Sequence, residues 1–103
     1  SANGLIQTSD ARLKSNIRDL PYGLTELLQL RPVAYSWNHD PASAKIGLIA
    51  QDVQKVVPEV VSGNAGQEML GMNYAELVPL LINAIKDLKK EVEELRKKVD
   101  KNN

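Results

Sequence analysis

From Tyr74 to Val99 the apolar residues recur at intervals that alternate between four and three: Tyr74, Val78, Leu81, Ile85, Leu88, Val92, Leu95, Val99. This is a heptad pattern, with Val78, Ile85, Val92 and Val99 at a and Tyr74, Leu81, Leu88 and Leu95 at d. Beyond Ile85 the residues outside the stripe are almost entirely charged, so a single helix has nowhere to bury it. The pattern predicts a helix that associates with copies of itself. Asn73-Tyr74-Ala75-Glu76 reads as a capping box that starts this helix near Tyr74, and Pro79 is expected to bend it. Leu77, Leu80 and Ile82 widen the apolar surface at its start, as in a helix embedded in a folded body. In a parallel arrangement Glu91 at g faces Arg96 at e of the neighbouring chain, an exposed pair worth about 0–1 kcal/mol. β-branched residues at a with Leu at d lean, in isolation, towards two strands.

Upstream the periods are shorter. Gly23 to Leu30 predicts a short helix capped by Thr25, with Leu24, Leu27, Leu28 and Leu30 on its inner face. Val33 to Trp37 alternates as a strand, with Tyr35 and Trp37 read as core. Asn38 to Pro41 is turn chemistry, and Lys45 to Ala50 reads as the antiparallel partner strand. Val53, Val56 and Val57 recur at helical spacing before Pro58. Gly63 to Gly66 suits a hairpin between residues 59–62 and 69–72. These elements define an α+β body of short helices and β-hairpins that ends in a long helix.

Composition narrows the function. The 103 residues form at most one domain, 43% hydrophobic with no Phe and one Trp. Its Leu/Val/Ile core is small enough to be marginal alone. Thirteen acidic residues balance thirteen basic ones, which gives no electrostatic reason to expect nucleic acid or an anionic membrane as partner. No apolar run approaches the roughly 20 residues that span a bilayer. There is no Cys, hence no disulfide and no thiolate zinc site, and no metal or other cofactor is expected. His39 sits alone in a turn. Asp52, Glu59 and Glu68 lack a shared spacing for glycoside chemistry. Gly63 to Gly66 is not followed by the Lys-Ser/Thr of a phosphate loop.

The ordered run of short motifs is more specific. Ser9-Asp10-Ala11-Arg12-Leu13-Lys14-Ser15-Asn16-Ile17 is followed by Leu30-Arg31-Pro32-Val33-Ala34-Tyr35-Ser36-Trp37. Then come Ile46-Gly47-Leu48-Ile49-Ala50-Gln51-Asp52-Val53, Val57-Pro58-Glu59-Val60-Val61, Asn73-Tyr74 and Ala84-Ile85-Lys86-Asp87-Leu88. Over about residues 9 to 95 this resembles the intramolecular chaperone domain of phage endosialidases and tail fibres, the S74 peptidases. The resemblance implies a parallel homotrimeric coiled coil and a module that directs assembly of an upstream fibre or tailspike portion of the same polypeptide. It also implies self-release by a serine, Ser9, with Lys14 as its partner, and scission expected at Thr8-Ser9. Residues 1–8 are then the end of the upstream fibre or an added linker, 9–84 the chaperone body, and 85–103 the coiled-coil part. Val78, Leu81, Ile85, Leu88, Val92, Leu95 and Val99, with Glu91 and Arg96, are the assembly residues. The implied setting is the host cytoplasm during phage assembly, within a virion fibre precursor. The alternative is a permanent trimerisation cap that never cuts, in which Ser9 merely caps a turn.

The dyad makes demands of its own. A lysine near its ordinary value of about 10.4 is protonated at neutral pH. Burial away from anions lowers that value and frees the amine to take the serine proton. Five residues of helix turn through about 500°, so Ser9 must precede a turn from which Lys14 folds back. Assembly is expected to close Lys14 into a dry chain–chain interface. Asp10 is read as a structural cap, and Arg12 as a solvated charge or an ion-pair partner.

Overall fold

The computed structural model describes residues 6–102; residues 1–5 of the expected upstream segment lie outside the described residues. Four strands, three α-helices and three single 3₁₀ turns follow one another along the chain. The first 3₁₀ turn is Ala11–Leu13, and α1 spans Leu24–Leu27. Gly23 and not Thr25 caps α1, its amide donating to the Glu26 carboxylate at 2.8 Å. A side chain at Gly23 would run into the Asp87 carboxylate, so a close approach selects glycine there.

Strands β1 (Val33–Trp37) and β2 (Asp40–Gly47) form an antiparallel hairpin, with Val33 opposite Gly47 and Trp37 opposite Asp40. The turn is shorter than the sequence suggests. Asp40 and Pro41 already belong to β2, which Pro tolerates near a strand's start and beside an irregular register. α2 (Ala50–Gln54) is followed by a 3₁₀ turn at Pro58–Val60, which Pro58 begins. Two-residue strands β3 (Val61–Ser62) and β4 (Gly71–Met72) close the Gly63–Gly66 loop as expected. Trp37 is not core. It is half exposed, lying edge-on to Tyr35 at 5.1 Å and stacked over His39 at 6.2 Å.

A third 3₁₀ turn, Tyr74–Glu76, leads into α3 (Leu77–Asn102), 26 residues or about 39 Å of helix. Because α3 starts at Leu77, Pro79 falls in its first turn, where an amide would lack a partner in any case. The expected bend therefore has no cause. The capping box is also altered: the Asn73 side chain donates to the Glu76 carboxylate at 2.7 Å instead of accepting from the Glu76 amide. Tyr74 does not continue the d register. Its hydroxyl accepts from the Leu48 amide at 3.0 Å and rests against Gly47, so it is committed to the hairpin. The apolar stripe begins at Val78.

The core is small: Val53, Val57, Val60, Leu77, Leu80 and Ala84 are buried, with Tyr22, Leu27, Leu30, Leu48, Val56, Val61 and Met72 partly buried against the main cluster. Leu28 and Ile82, read as inner residues, face out. Leu77, Leu80 and Ala84 line one face of α3. Val78, Leu81, Ile85, Leu88, Val92, Leu95 and Val99 lie about 100° round the helix and are uncovered, from 39% exposed at Val92 to 66% at Ile85. The shape records the same imbalance. The radius of gyration is 18.2 Å, against about 13 Å for a compact chain of this length. The chain exposes 8900 Å², where a folded monomer of its mass exposes about 5,800 Å².

Candidate functional site

Residues 6–20 form an arm whose every residue is exposed. Its only regular feature is the 3₁₀ turn, and the sequence dictates that turn locally. Asp10 sits in extended conformation at the N-cap and its carboxylate accepts from the Arg12 amide at 2.9 Å. The Arg12 guanidinium closes on the same carboxylate at 2.8 Å. Hydrogen bonds from the Arg12 side chain, then from its backbone, hold the Asp10 carboxyl below the usual range, and Asp10 in turn raises Arg12. This pair absorbs the one carboxylate beside the dyad and leaves the lysine without a directly bonded anion.

The turn brings Ser9 and Lys14 together. Ser9 precedes it and Lys14 follows it, and the Lys14 Nζ donates to the Ser9 Oγ at 2.6 Å. A helix would place these side chains on different faces; a single 3₁₀ turn flanked by extended residues folds the lysine back, as the spacing requires. Thr8 is adjacent and exposed. In one chain the whole constellation stands in solvent. The seam residues lie on a separate surface, along α3, with Glu91 and Arg96 exposed beside it.

What fastens the arm was not singled out in the sequence. Asn83, on the body-facing side of α3, donates its amide to the carbonyls of Tyr22 at 2.8 Å and Leu20 at 3.2 Å. One turn further on, Asp87 accepts from the Leu24 amide at 3.0 Å. Tyr22 donates to Glu59 at 2.8 Å, and that hydrogen bond, with a smaller contribution from burial, raises its hydroxyl above the ordinary value. Leu20 to Leu24 is thus a strap hung on α3, and the arm leads away from it. Asn16, the one described non-glycine residue with positive φ (55°), sits between dyad and strap, a conformation asparagine tolerates better than most. The legible signal was an Asn and an Asp four apart on a helix face otherwise bounded by Leu80 and Ala84.

Two comparisons bear on what this arrangement is. The family model described as chaperone of endosialidase, within the S74 peptidases, matches residues 9–62, from the dyad serine to the end of β3. Among curated proteins the chain is 31% identical over 102 residues to a long tail fiber protein Gp37 of Enterobacteria phage M1, covering 91% of this chain and 41% of that protein. It is 32% identical over 96 residues to the protein of the same name from Enterobacteria phage Ox2, covering 85% and 38%. Against that of Enterobacteria phage K3 it is 31% identical over 98 residues, which is 88% of this chain and 8% of the relative. The chain therefore spans less than half the length of the curated relatives it matches.

Proposed function

Because the chain belongs to the chaperone-of-endosialidase family, we propose that it is an assembly chaperone for a homotrimeric phage-type fibre, and that it then releases itself by cutting between Thr8 and Ser9. Three copies join in parallel along the seam of α3. The body of residues 9–84 sits outside the coil and residues 85–103 extend it. The uncovered stripe supports self-association, and Ile82 at an e position widens it beyond a bare a/d seam, which suits three helices better than two. Fibres built from intertwined strands must close many distant contacts, and are slow and aggregation-exposed while doing so. Holding three chain ends in parallel raises their effective concentration and sets their register. Cutting the clamp away afterwards removes the reverse route.

The observation that carries the cutting step is the 2.6 Å contact between Ser9 Oγ and Lys14 Nζ. Once assembly dries the site, the neutral Lys14 amine takes the Ser9 hydroxyl proton and the oxygen attacks the Thr8 carbonyl carbon. The Thr8–Ser9 C–N bond breaks, Lys14 returns its proton to the leaving Ser9 nitrogen, and an ester remains between Thr8 and Ser9 Oγ. Water hydrolyses that ester, giving the Thr8 carboxylate and restoring the hydroxyl. Intact-mass measurement on the wild-type chain, Ser9→Ala and Lys14→Ala tests this. A fragment beginning at Ser9 is expected from the wild type alone; normal cutting by either variant ends the dyad, and an uncut wild type makes the domain a permanent cap. Light scattering gives the copy number, expected to be three.

A further inference from the structure

The arm cannot dry itself. Ser9, Lys14 and every other described residue before Pro21 are exposed, and the polar contacts of residues 6–19 are made within the arm. The arm nevertheless carries side chains that belong out of water: Leu13 is 75% exposed and Ile17 73%. The body carries the complementary deficit. Between the β1–β2 hairpin, α2 and β4 runs an open apolar groove of about 470 Å³, lined among others by Trp37, Ile49, Met72 and Tyr74. Trp37, Ile49 and Tyr74 are each 40% exposed or more. We propose that this groove receives the arm of a second copy of the chain, so that in the assembly each Ser9–Lys14 pair is covered by the neighbouring body.

Three observations select a second copy over other occupants. First, the groove is close to the seam along the chain: Tyr74 lines it and stands one 3₁₀ turn before α3, where Val78 opens the stripe. A copy held along α3 therefore lies beside it. Second, reach suffices. From the strap at Leu20 back to Leu13, with the turn that joins Ser9 to Lys14 kept folded, the chain can extend up to about 23–25 Å, while helices packed along a seam stand only about 8–10 Å apart. Third, the surface in excess of a folded monomer is about 3,100 Å² per chain. That is well above the roughly 800 Å² a partner contributes to an ordinary interface, so the surplus accommodates an arm contact beside the seam. An arm passed always to the next copy is a heterologous contact, and around a threefold axis such a contact closes into a ring with no arm left over. The proposal rests on the assembly reading above and names the surface that completes the site.

The absence of cysteine allows a test that does not need cleavage. Chains carrying Leu13→Cys and chains carrying Ile49→Cys, both with Ser9→Ala, are co-expressed under different tags and treated with a short bis-maleimide. Covalent pairs holding one chain of each kind are expected. Their absence overturns the proposal, as does a double variant, Leu13→Cys with Ile49→Cys on one chain, that bridges only within itself. Cleavage gives the second arm. With Ser9 intact, Leu13→Glu, at a side chain 75% exposed in the single chain, is expected to slow cutting about 10–100-fold, because a carboxylate enters an apolar groove only at a cost. Trp37→Glu should slow it similarly, yet be cut again in mixed assemblies with Ser9→Ala chains, whose grooves are whole. Leu13→Glu should not be rescued in that way. Wild-type rates for both variants, or no rescue of Trp37→Glu, overturn the exchange. An uncut wild type fails the proteolytic reading, and the cross-link still decides this one.

Discussion

The two faces of α3 make opposite use of similar residues. Leu77, Leu80 and Ala84 are buried against the body, Leu80 to within 1% of complete, while Leu81 and Ile85, one position further along, stand in solvent. Composition does not separate them, since both faces are aliphatic. What separates them is which one the chain's own residues reach. α2 and the 3₁₀ turn at Pro58–Val60 bring Val53, Val57 and Val60 onto the first face, and the strap locks that approach through Asn83 and Asp87. Nothing of the described chain covers the second face. The body thus docks beside the seam and leaves it open, which is what a folding unit must do if its helix is also to be an assembly surface.

The comparison breaks most completely at Ile85. Ile85→Asp should leave the body's fold intact and reduce the particle to single chains in light scattering. Each copy forfeits about 1.5–3 kcal/mol of apolar burial, repeated across the assembly. A variant that still assembles would show that the seam is not the assembly surface. Leu80→Ala tests the other face. With so small a core it should destabilise the body by about 2–5 kcal/mol, read as a lower urea midpoint in an Ile85→Asp background, where assembly cannot mask the loss. Asn83→Ala should cost about 0.5–1.5 kcal/mol, because water can reach the carbonyls of Leu20 and Tyr22 that lose their donor. It should make residues 6–22 readily cut by added protease, while seam assembly in solution persists. The smallest effect belongs to Tyr22. Its raised hydroxyl means that the Tyr22–Glu59 contact contributes fully below the ordinary tyrosine value of about 10 and is lost as pH rises through the folded value. Absorbance at 295 nm should show Tyr22 ionising above the ordinary tyrosine value, and Glu59→Gln should bring it down.

Much of this was legible in the residues, and what was not has identifiable causes. The heptad stripe, the Val33–Trp37 strand, the glycine loop and the fold-back of Lys14 onto Ser9 are local or periodic, and periodicity survives without tertiary knowledge. Tyr74 fits the heptad spacing but was lost to it because its hydroxyl found the Leu48 amide, a partner 26 residues away. The helix starts three residues later than the capping pattern suggests, at Leu77 and not near Tyr74, enough to change a bend at Pro79 into an ordinary first-turn proline. Alternation puts Trp37 on one strand face with Val33 and Tyr35, but only a strand's neighbours decide which aromatic is covered, and Trp37 stays half exposed. The strap was missed because a hydrogen bond between residues 63 apart, such as Leu24 to Asp87, leaves no periodic trace in the sequence.

The single point at which the arm is pinned has a mechanical corollary. Within one chain, a tether that α3 holds through Leu20 and Tyr22 passes on tension but little torque, so the pitch of the helix need not be copied by the residues before the strap.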